Sequence, residues 1–315
     1  GGCFGYKSAI TVEQTVAYIA RFVPGYPVKW VASRKEDFTS TLLAHGIRMI
    51  MTVGAKKNGN LVAIESKVLH TGGAYADTAV NVTIAATHNC PGPYEYDHCD
   101  LTGYTVYTNT PPVGAYRGYG HPEALFATER MMDMLAHKLG MDPFELREMN
   151  YLGEGKTNAL GEMMWKTNGD VKACSDNVKK IVFDKEIVKE DENYYYGRGF
   201  AAIMKSPKGA SFSTKGCYIK MNIDGSVSVN MGGAEVGQGL RTIVQQIAGE
   251  ALKIAPERIK VYNDIDTQYS PYEWQTIGSM FTTQGGLAII RAADKLVKIL
   301  KKTAAQVLKT DEDYL

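Results

Sequence analysis

The sequence contains two tight-turn signals, each between runs in which apolar and polar residues alternate. Asn58-Gly59 lies between residues 47–53 and 61–70, and Asp224-Gly225 joins two further alternating runs. Such dipeptides favour the two-residue turns of β-hairpins. Each predicted hairpin is followed along the chain by stretches of helical periodicity, and residues 285–308 form the longest. The pattern predicts an α+β fold made of two mixed units.

The remaining elements are predicted from local signals. Pro122 starts a helix that Gly140 ends, and Asp142 caps a shorter helix directly after it. Other helices are expected at 170–182 and 239–252, strands at 101–109, 196–206 and 258–263, and a loop at 71–100. We place a first α+β unit at 1–165, a polar connection with a helix at 166–195, and a second unit at 196–315.

Composition excludes several classes of function. The chain has 315 residues and a net charge of +1, so no strong field attracts nucleic acid or an anionic membrane. No apolar run approaches the roughly 20 residues that a membrane-spanning helix needs. The five cysteines form no Cys-x-x-Cys pair and the histidines are scattered, which argues against a metal site in this chain. We expect a cytoplasmic protein with reduced, mostly buried thiols.

Four glycine-bearing segments are the candidate functional features, and three of them directly precede predicted helices. Such loops offer free backbone N–H groups and the positive end of a helix to an anion such as a phosphate. The segments are GGCFGYK (1–7), GAYRGYGHPE (114–123), GGAEVGQGLRT (232–242) and WQTIGSMFTTQGG (274–286). Taken singly, each segment is better explained as a helix C-cap or a tight turn than as a ligand loop. The phosphate-binding lysine–serine pair and the acid of a dinucleotide fold are both missing, so a nucleotide-binding enzyme is the weakest alternative.

Taken together and in order, the segments resemble the molybdenum-binding subunit of the xanthine dehydrogenase and aldehyde oxidase family. The resemblance rests on GGxFGxK, on AYRGYGxPE followed by ERxxDxLAxxLGxDPxELRxxN, and on GGxEVGQGLxT at the start of a helix. It implies a molybdopterin cofactor held by backbone groups, with no protein atom bound to the metal. The implied reaction hydroxylates an electron-poor carbon with oxygen from water. Electrons then pass to 2Fe-2S clusters and FAD on partner subunits or domains of a multisubunit complex.

The resemblance also assigns residues. Arg117 corresponds to an arginine beside the metal, and Gln238 to a glutamine that hydrogen-bonds the pterin. The implied cofactor-binding residues are Phe4, Gly5, Arg117, Gly237, Gln238, Gly239, Gly278, Ser279 and Thr282. The implied substrate-binding residues are Ser8, Tyr119, Phe212 and Ser213, of which the two aromatic rings would sandwich a flat substrate or, equally, serve as packing.

The chain departs from the family pattern at positions that bear on catalysis and on the choice of substrate. The family's catalytic glutamate and an upstream glutamine near the metal have no counterpart here, so we expect an internal fragment that is inactive alone and needs the rest of its subunit. Ser8 stands where purine-hydroxylating members have a glutamate, and no arginine occurs between residues 49 and 116. We therefore expect an aldehyde or an aromatic N-heterocycle other than xanthine as the substrate. The alternative is a non-catalytic structural or interaction subunit of such a complex.

Overall fold

The computed structural model describes residues 4–5, 7, 9–10, 12–44, 46–187, 192–205 and 213–315. They form two compact units, one from residue 4 to residue 205 and the other within residues 213–315. Each unit has its own sheet, with helices packed on it. The α+β class predicted from the alternating runs is therefore confirmed.

The first unit is built on a three-stranded sheet of order β1-β2-β3. Strands β1 (Gly46–Ala55) and β2 (Leu61–Gly73) form the antiparallel hairpin predicted around Asn58-Gly59. Strand β3 (His98–Tyr107) runs parallel to β2. A parallel neighbour requires a crossover connection, and here that connection contains a helix.

The crossover helix α3 (Ala79–Asn89) corrects the prediction of a loop over 71–100. Its buried face consists of Ala79, Val82, Thr83, Ala86 and Thr87. Two of these five residues are threonines, and the Thr83 and Thr87 hydroxyls donate to backbone oxygens one turn earlier. The face is therefore buried although part of it is polar, which hid the helical period in the sequence.

Two helices that follow β3 match the sequence signals. Helix α4 (His121–Leu139) ends at Gly140, which adopts a left-handed conformation with φ of 67°. Asp142 caps α5 (Pro143–Glu148) through Oδ1, which accepts hydrogen bonds from the N–H groups of Phe144 and Glu145. The other helices of the unit are α1 (Glu13–Ala20), α2 (Arg34–Ser40) and α6 (Val171–Val178), the last within the predicted range.

A buried ion pair joins α4 to α5. The Arg147 side chain is 0% exposed, and its Nε donates to Glu129 Oε2 at 2.8 Å. Glu129 Oε1 accepts a hydrogen bond from Tyr94 at 2.6 Å, and Arg147 also reaches Asp133 at 2.8 Å. Burial by itself lowers the pKa of Arg147, but the neighbouring Glu129 and Tyr94 raise it more, so the guanidinium stays charged.

Residues 196–205 form no strand, which corrects the strand predicted at 196–206. They pack as an extended segment on the first unit. The Ala202 N–H donates to Glu129 Oε2 at 3.1 Å, and the rings of Phe200 and Phe144 lie 4.4 Å apart. One backbone N–H of the segment is thus satisfied by a buried carboxylate and not by a neighbouring strand.

The second unit repeats the strand arrangement of the first. Strands β4 (Cys217–Met221) and β5 (Val227–Met231) pair antiparallel around Asp224-Gly225, as predicted, and β6 (Ile259–Tyr262) runs parallel to β5. Helices α7 (Leu240–Leu252) and α8 (Gly286–Leu308) complete the unit. Its core consists of Val227, Val229, Met231, Leu240, Val244, Ala248, Ile259, Phe281 and Ile289.

Two further observations concern the whole described chain. None of its helices is long and apolar enough to cross a bilayer. Among the described cysteines Cys90 is buried, and burial raises its pKa to about 11, but Cys99 and Cys174 are exposed. The expectation of mostly buried thiols was therefore only partly correct.

Candidate cofactor-binding site

Two of the predicted glycine segments meet within the first unit. The Arg117 N–H donates to the carbonyl of Phe4 at 2.9 Å. Gly5 lies so close to the segment before Arg117 that a Cβ atom on Gly5 would sit 2.5 Å from the carbonyl oxygen of Ala115. The structure therefore brings together Phe4, Gly5 and Arg117, three residues assigned to the cofactor from sequence.

A tight turn then leads into α4. The Tyr119 N–H donates to the Tyr116 carbonyl at 2.7 Å, which leaves Tyr119 half-buried and Arg117 exposed. Gly120 has a φ of 80°, and a Cβ there would lie 2.5 Å from the backbone nitrogen of Ala86 in α3. The first turn of α4 is thus set against α3 at a distance that only glycine allows.

In the second unit a cavity of about 390 Å³ opens between the other two glycine segments. One wall is the start of α7 and the loop before it, and the other wall is the loop before α8. The lining residues are Val236, Gln238, Leu240, Ile243, Thr276, Ile277, Gly278, Ser279, Met280, Phe281 and Thr282. Gln238, Gly278, Ser279 and Thr282 are residues that the sequence analysis assigned to the cofactor. The volume lies within the range of small-molecule sites.

Gln238 lies between two glycines of the loop that leads into α7. Its Oε1 accepts the Val236 N–H at 2.7 Å, and its Nε2 donates to the Ala234 carbonyl at 2.8 Å. A primary amide has two N–H groups and two oxygen lone pairs. One donor and one acceptor site of this exposed side chain therefore remain beyond these two bonds.

The opposite wall has an unusual backbone. Ser279 adopts φ of 59°, in the left-handed region that non-glycine residues rarely occupy, directly after Gly278 at 63°. A wide helical turn follows at Phe281–Gly285 and continues into α8. Met280, at the N-cap of this turn, provides no side-chain hydrogen bond to it. The first N–H groups of a helix lack intrahelical partners, so this end can receive an anion.

Two sequence profiles decide the family. Both are described as molybdopterin cofactor-binding domains; one matches residues 1–151 and the other residues 177–315. The chain belongs to the molybdopterin-binding family of xanthine dehydrogenases and aldehyde oxidases. The family assignment made from the glycine segments is therefore confirmed, and with it the molybdopterin-binding character of the two domains.

Relatives with assigned names agree with this family. The chain is 30% identical over 324 residues to the probable hypoxanthine oxidase XdhD of Escherichia coli K12, covering 98% of this chain and 33% of that protein. It is 30% identical over 327 residues to the 6-hydroxypseudooxynicotine dehydrogenase complex subunit gamma of Paenarthrobacter nicotinovorans, covering 100% of this chain and 41% of that subunit. The chain thus spans between a third and about two fifths of these relatives.

A solved structure shows the same fold. Quinoline 2-oxidoreductase from Pseudomonas putida 86 superposes with a TM-score of 0.86 at 24% identity, over 99% of this chain and 42% of that one. At this identity the similarity shows a shared fold and does not indicate the substrate.

A buried ion pair that sequence reasoning missed lies beside the two loops that line the cavity. Lys215 Nζ lies 2.7 Å from Glu273 Oε1, and the two side chains are 2% and 3% exposed. Thr276 donates to Glu273 at 2.6 Å and accepts the Ala234 N–H at 2.9 Å. Thr276, held by Glu273, therefore joins the loop before α8 to the loop before α7. Lys215 and Glu273 are 58 positions apart, and no sequence pattern indicates that they pair. Only the folded structure reveals this contact.

The structure describes only some of the residues that were predicted to bind the substrate. Ser8 and Phe212 lie outside the described residues. Ser213 donates to Gln284 Oε1 at 3.0 Å and lines a separate open groove of about 520 Å³ in the second unit, together with Arg291 and Lys295. Within the described ranges, no three potential metal-ligating side chains cluster.

Proposed function

We propose that this chain is the molybdopterin-binding portion of a molybdenum hydroxylase that oxidises an aldehyde or an aromatic N-heterocycle, with water as the oxygen source. The observation that carries the proposal is the cavity between the loops before α7 and α8, because four residues assigned to the cofactor from sequence line it. The family assignment supports the same chemistry.

The residues of the cavity suit a flat, phosphorylated ligand. Gln238 can offer its second N–H group and its second lone pair to a pterin edge. We propose that the hydroxyls of Ser279 and Thr282 and the uncapped turn before α8 bind the phosphate. Gly237, Gly239 and Gly278 allow the backbone to approach the ligand without a side chain in between.

In the first unit we propose that Phe4, Gly5 and Arg117 lie beside the metal. Their mutual contact supports the assignment, because Arg117 cannot move away from Phe4 without losing the 2.9 Å backbone bond. When bound, the cofactor supplies the redox chemistry and the activated oxygen, and the protein supplies position and electrostatics.

The substrate proposal rests on sequence. Tyr119 and Phe212 would hold a planar substrate between their rings, with Ser8 and Ser213 at its edges. Ser8 carries no charge, so it cannot form the ionic contact that a glutamate gives to a purine.

We further propose that turnover requires the rest of the molybdenum subunit and partners carrying 2Fe-2S and FAD, in the cytoplasm. The relatives support this proposal, since the matched proteins are two to three times as long and one is named as a subunit of a dehydrogenase complex.

Metal and cofactor analysis of the whole native protein tests the proposal. We expect molybdenum and a pterin phosphate in the wild type and much less of both in Thr282→Ala. Thr303→Ala removes an exposed hydroxyl that bonds only within α8 and is the matched control. A wild-type complex without molybdenum would contradict the proposal and favour the structural, non-catalytic alternative.

A further inference from the structure

The N-terminus of α7 is occupied by a carboxylate of the chain itself. Glu235 Oε1 accepts the N–H groups of Gly237 at 2.9 Å and Gly239 at 3.2 Å, and Oε2 accepts the N–H of Arg241 at 3.2 Å. Three backbone donors at and before this helix start are therefore engaged by the chain itself before any ligand arrives.

These hydrogen bonds favour the ionised form of Glu235. The bond from the Arg241 backbone contributes most to lowering the pKa of Glu235, partial burial opposes it, and the bonds from Gly237 and Gly239 lower it further. The carboxylate is therefore ionised at neutral pH and complements the positive end of α7.

The loop depends on this carboxylate for its shape. Gly237 and Gly239 have φ of 99° and 82°, and a Cβ added at either would meet nothing within 4 Å, so neighbouring atoms do not confine them. Gln238 lies between these glycines. Bonds from a single acid to both glycines therefore fix the backbone that carries Gln238 into the cavity.

The start of α8 differs from that of α7. Met280 gives its turn no side-chain hydrogen bond, and the hydroxyls of Ser279 and Thr282 lie at the same cavity. Of these two helix starts, one holds a carboxylate of the chain, whereas the other has no capping side chain at its N-cap.

We infer that Glu235 is a positioning residue, whose carboxylate pre-forms the Gln238 loop and keeps the ligand's anionic group away from α7, so that this group binds at the start of α8. The inference rests on the proposed molybdopterin site. It assigns a role to a residue that touches the loop backbone and not the reacting atoms.

The test compares Glu235→Gln with Glu250→Gln in the whole protein. Glu250 is an exposed acid in the last turn of α7, paired there with Lys253, and does not contact the loop. A glutamine at 235 keeps the shape but loses the charge and one of the two acceptor oxygens, and bonds to charged acceptors are the stronger kind. We expect amide exchange at Gly237, Gly239 and Arg241 in the cofactor-free protein to accelerate by roughly tenfold or more, while Glu250→Gln exchanges at the wild-type rate.

A second readout is the molybdenum and pterin content of the purified holoenzyme, which should fall in Glu235→Gln only. Glu235→Asp keeps the charge on a shorter side chain and should give intermediate exchange rates, so a folded variant is available if Glu235→Gln misfolds. Wild-type exchange rates in both Glu235 variants would overturn the inference, as would full cofactor content in a Glu235→Gln protein with an unprotected loop. A wild type without pterin would instead contradict the proposed function, and the exchange rates would still decide whether Glu235 holds the loop.

Discussion

At the scale of single residues, the most family-like part of the sequence serves the fold as well as the site. Glu129, Asp133, Arg147 and Asn150 belong to the quoted block that follows AYRGYG, and all four take part in side-chain hydrogen bonds that join separate segments. The sequence shows the block but not its role, because the partners meet only after α4 and α5 have packed together.

Arg147→Met is expected to destabilise the protein strongly. The change leaves Glu129 buried without its cation, and breaking a buried pair from one side costs about 3–5 kcal/mol. Equilibrium unfolding in denaturant measures the loss. The control is Arg130→Met, because Arg130 contacts the same Asp133 from a 60% exposed position and such surface pairs contribute about 0–1 kcal/mol. Equal losses of unfolding free energy in the two variants would show that the buried ion pair contributes no more to stability than the exposed one.

At the scale of elements, the sequence predicted those with strong local signals. Both hairpins and helices α4, α5, α7 and α8 were found from turn dipeptides, caps and apolar period. The wrong predictions were the loop over α3, whose buried face is partly polar, and the strand at 196–206, where residues 196–205 instead pack on Glu129 and Phe144. In both cases tertiary contacts decided the outcome, and local pattern does not contain them. No helix was predicted where α1 and α2 lie.

The crossing of α3 with the first turn of α4 yields an element-scale prediction. Gly120→Ala should lower the melting temperature far more than Gly140→Ala, although both glycines have left-handed φ values of 80° and 67°. The backbone cost at either position is about 1–2 kcal/mol. Only at Gly120 does the new Cβ also meet the backbone of α3, since nothing lies within 4 Å at Gly140.

Thermal unfolding of the two variants separates conformational cost from crowding. A similar drop in melting temperature for both would mean that α3 yields easily to the added methyl group. The tight crossing would then not be what holds the turn containing Arg117 and Tyr119.

At the scale of the whole molecule, the sequence predicted which loops would bind a ligand but not how these loops are held. The glycine segments were recognised as ligand loops, and within each unit they do meet in pairs. Glu235 was in a quoted motif without an assigned role, and Lys215 and Glu273 were not singled out. Their functions depend on the path of the folded backbone, and no spacing rule describes that path.

Substrate preference is also a property of the whole protein. Xanthine is expected to be a poor substrate, with kcat/KM at least about tenfold below that of a preferred aldehyde or N-heterocycle. The reason is that a site without polar partners for the purine leaves the polar groups of xanthine unpaired in the transition state. Steady-state kinetics with the complete protein measures this ratio, and efficient conversion of xanthine by the wild type would refute the substrate proposal.

A charge introduced at the proposed substrate-binding residue Ser8 tests the same idea from the other side. Ser8→Glu should shift the ratio of kcat/KM values towards xanthine, because it supplies the ionic contact that the wild type lacks. The control is Ser40→Glu, which adds the same charge at an exposed position in the last turn of α2. An equal shift in both variants would mean that added negative charge, and not its position, changes the preference.

Both halves of the chain follow one plan: a hairpin, a helix, a strand parallel to the second hairpin strand, and a closing helix. At the end of the second hairpin strand or directly after it, each half reads Gly-Gly-Ala, at 72–74 and at 232–234. In each half one of these glycines lies against a proline carbonyl, Gly73 on Pro111 and Gly232 on Pro271. Such a correspondence is what duplication of an ancestral gene segment leaves behind. On this account evolution kept the scaffold twice and diversified the loops of each copy separately.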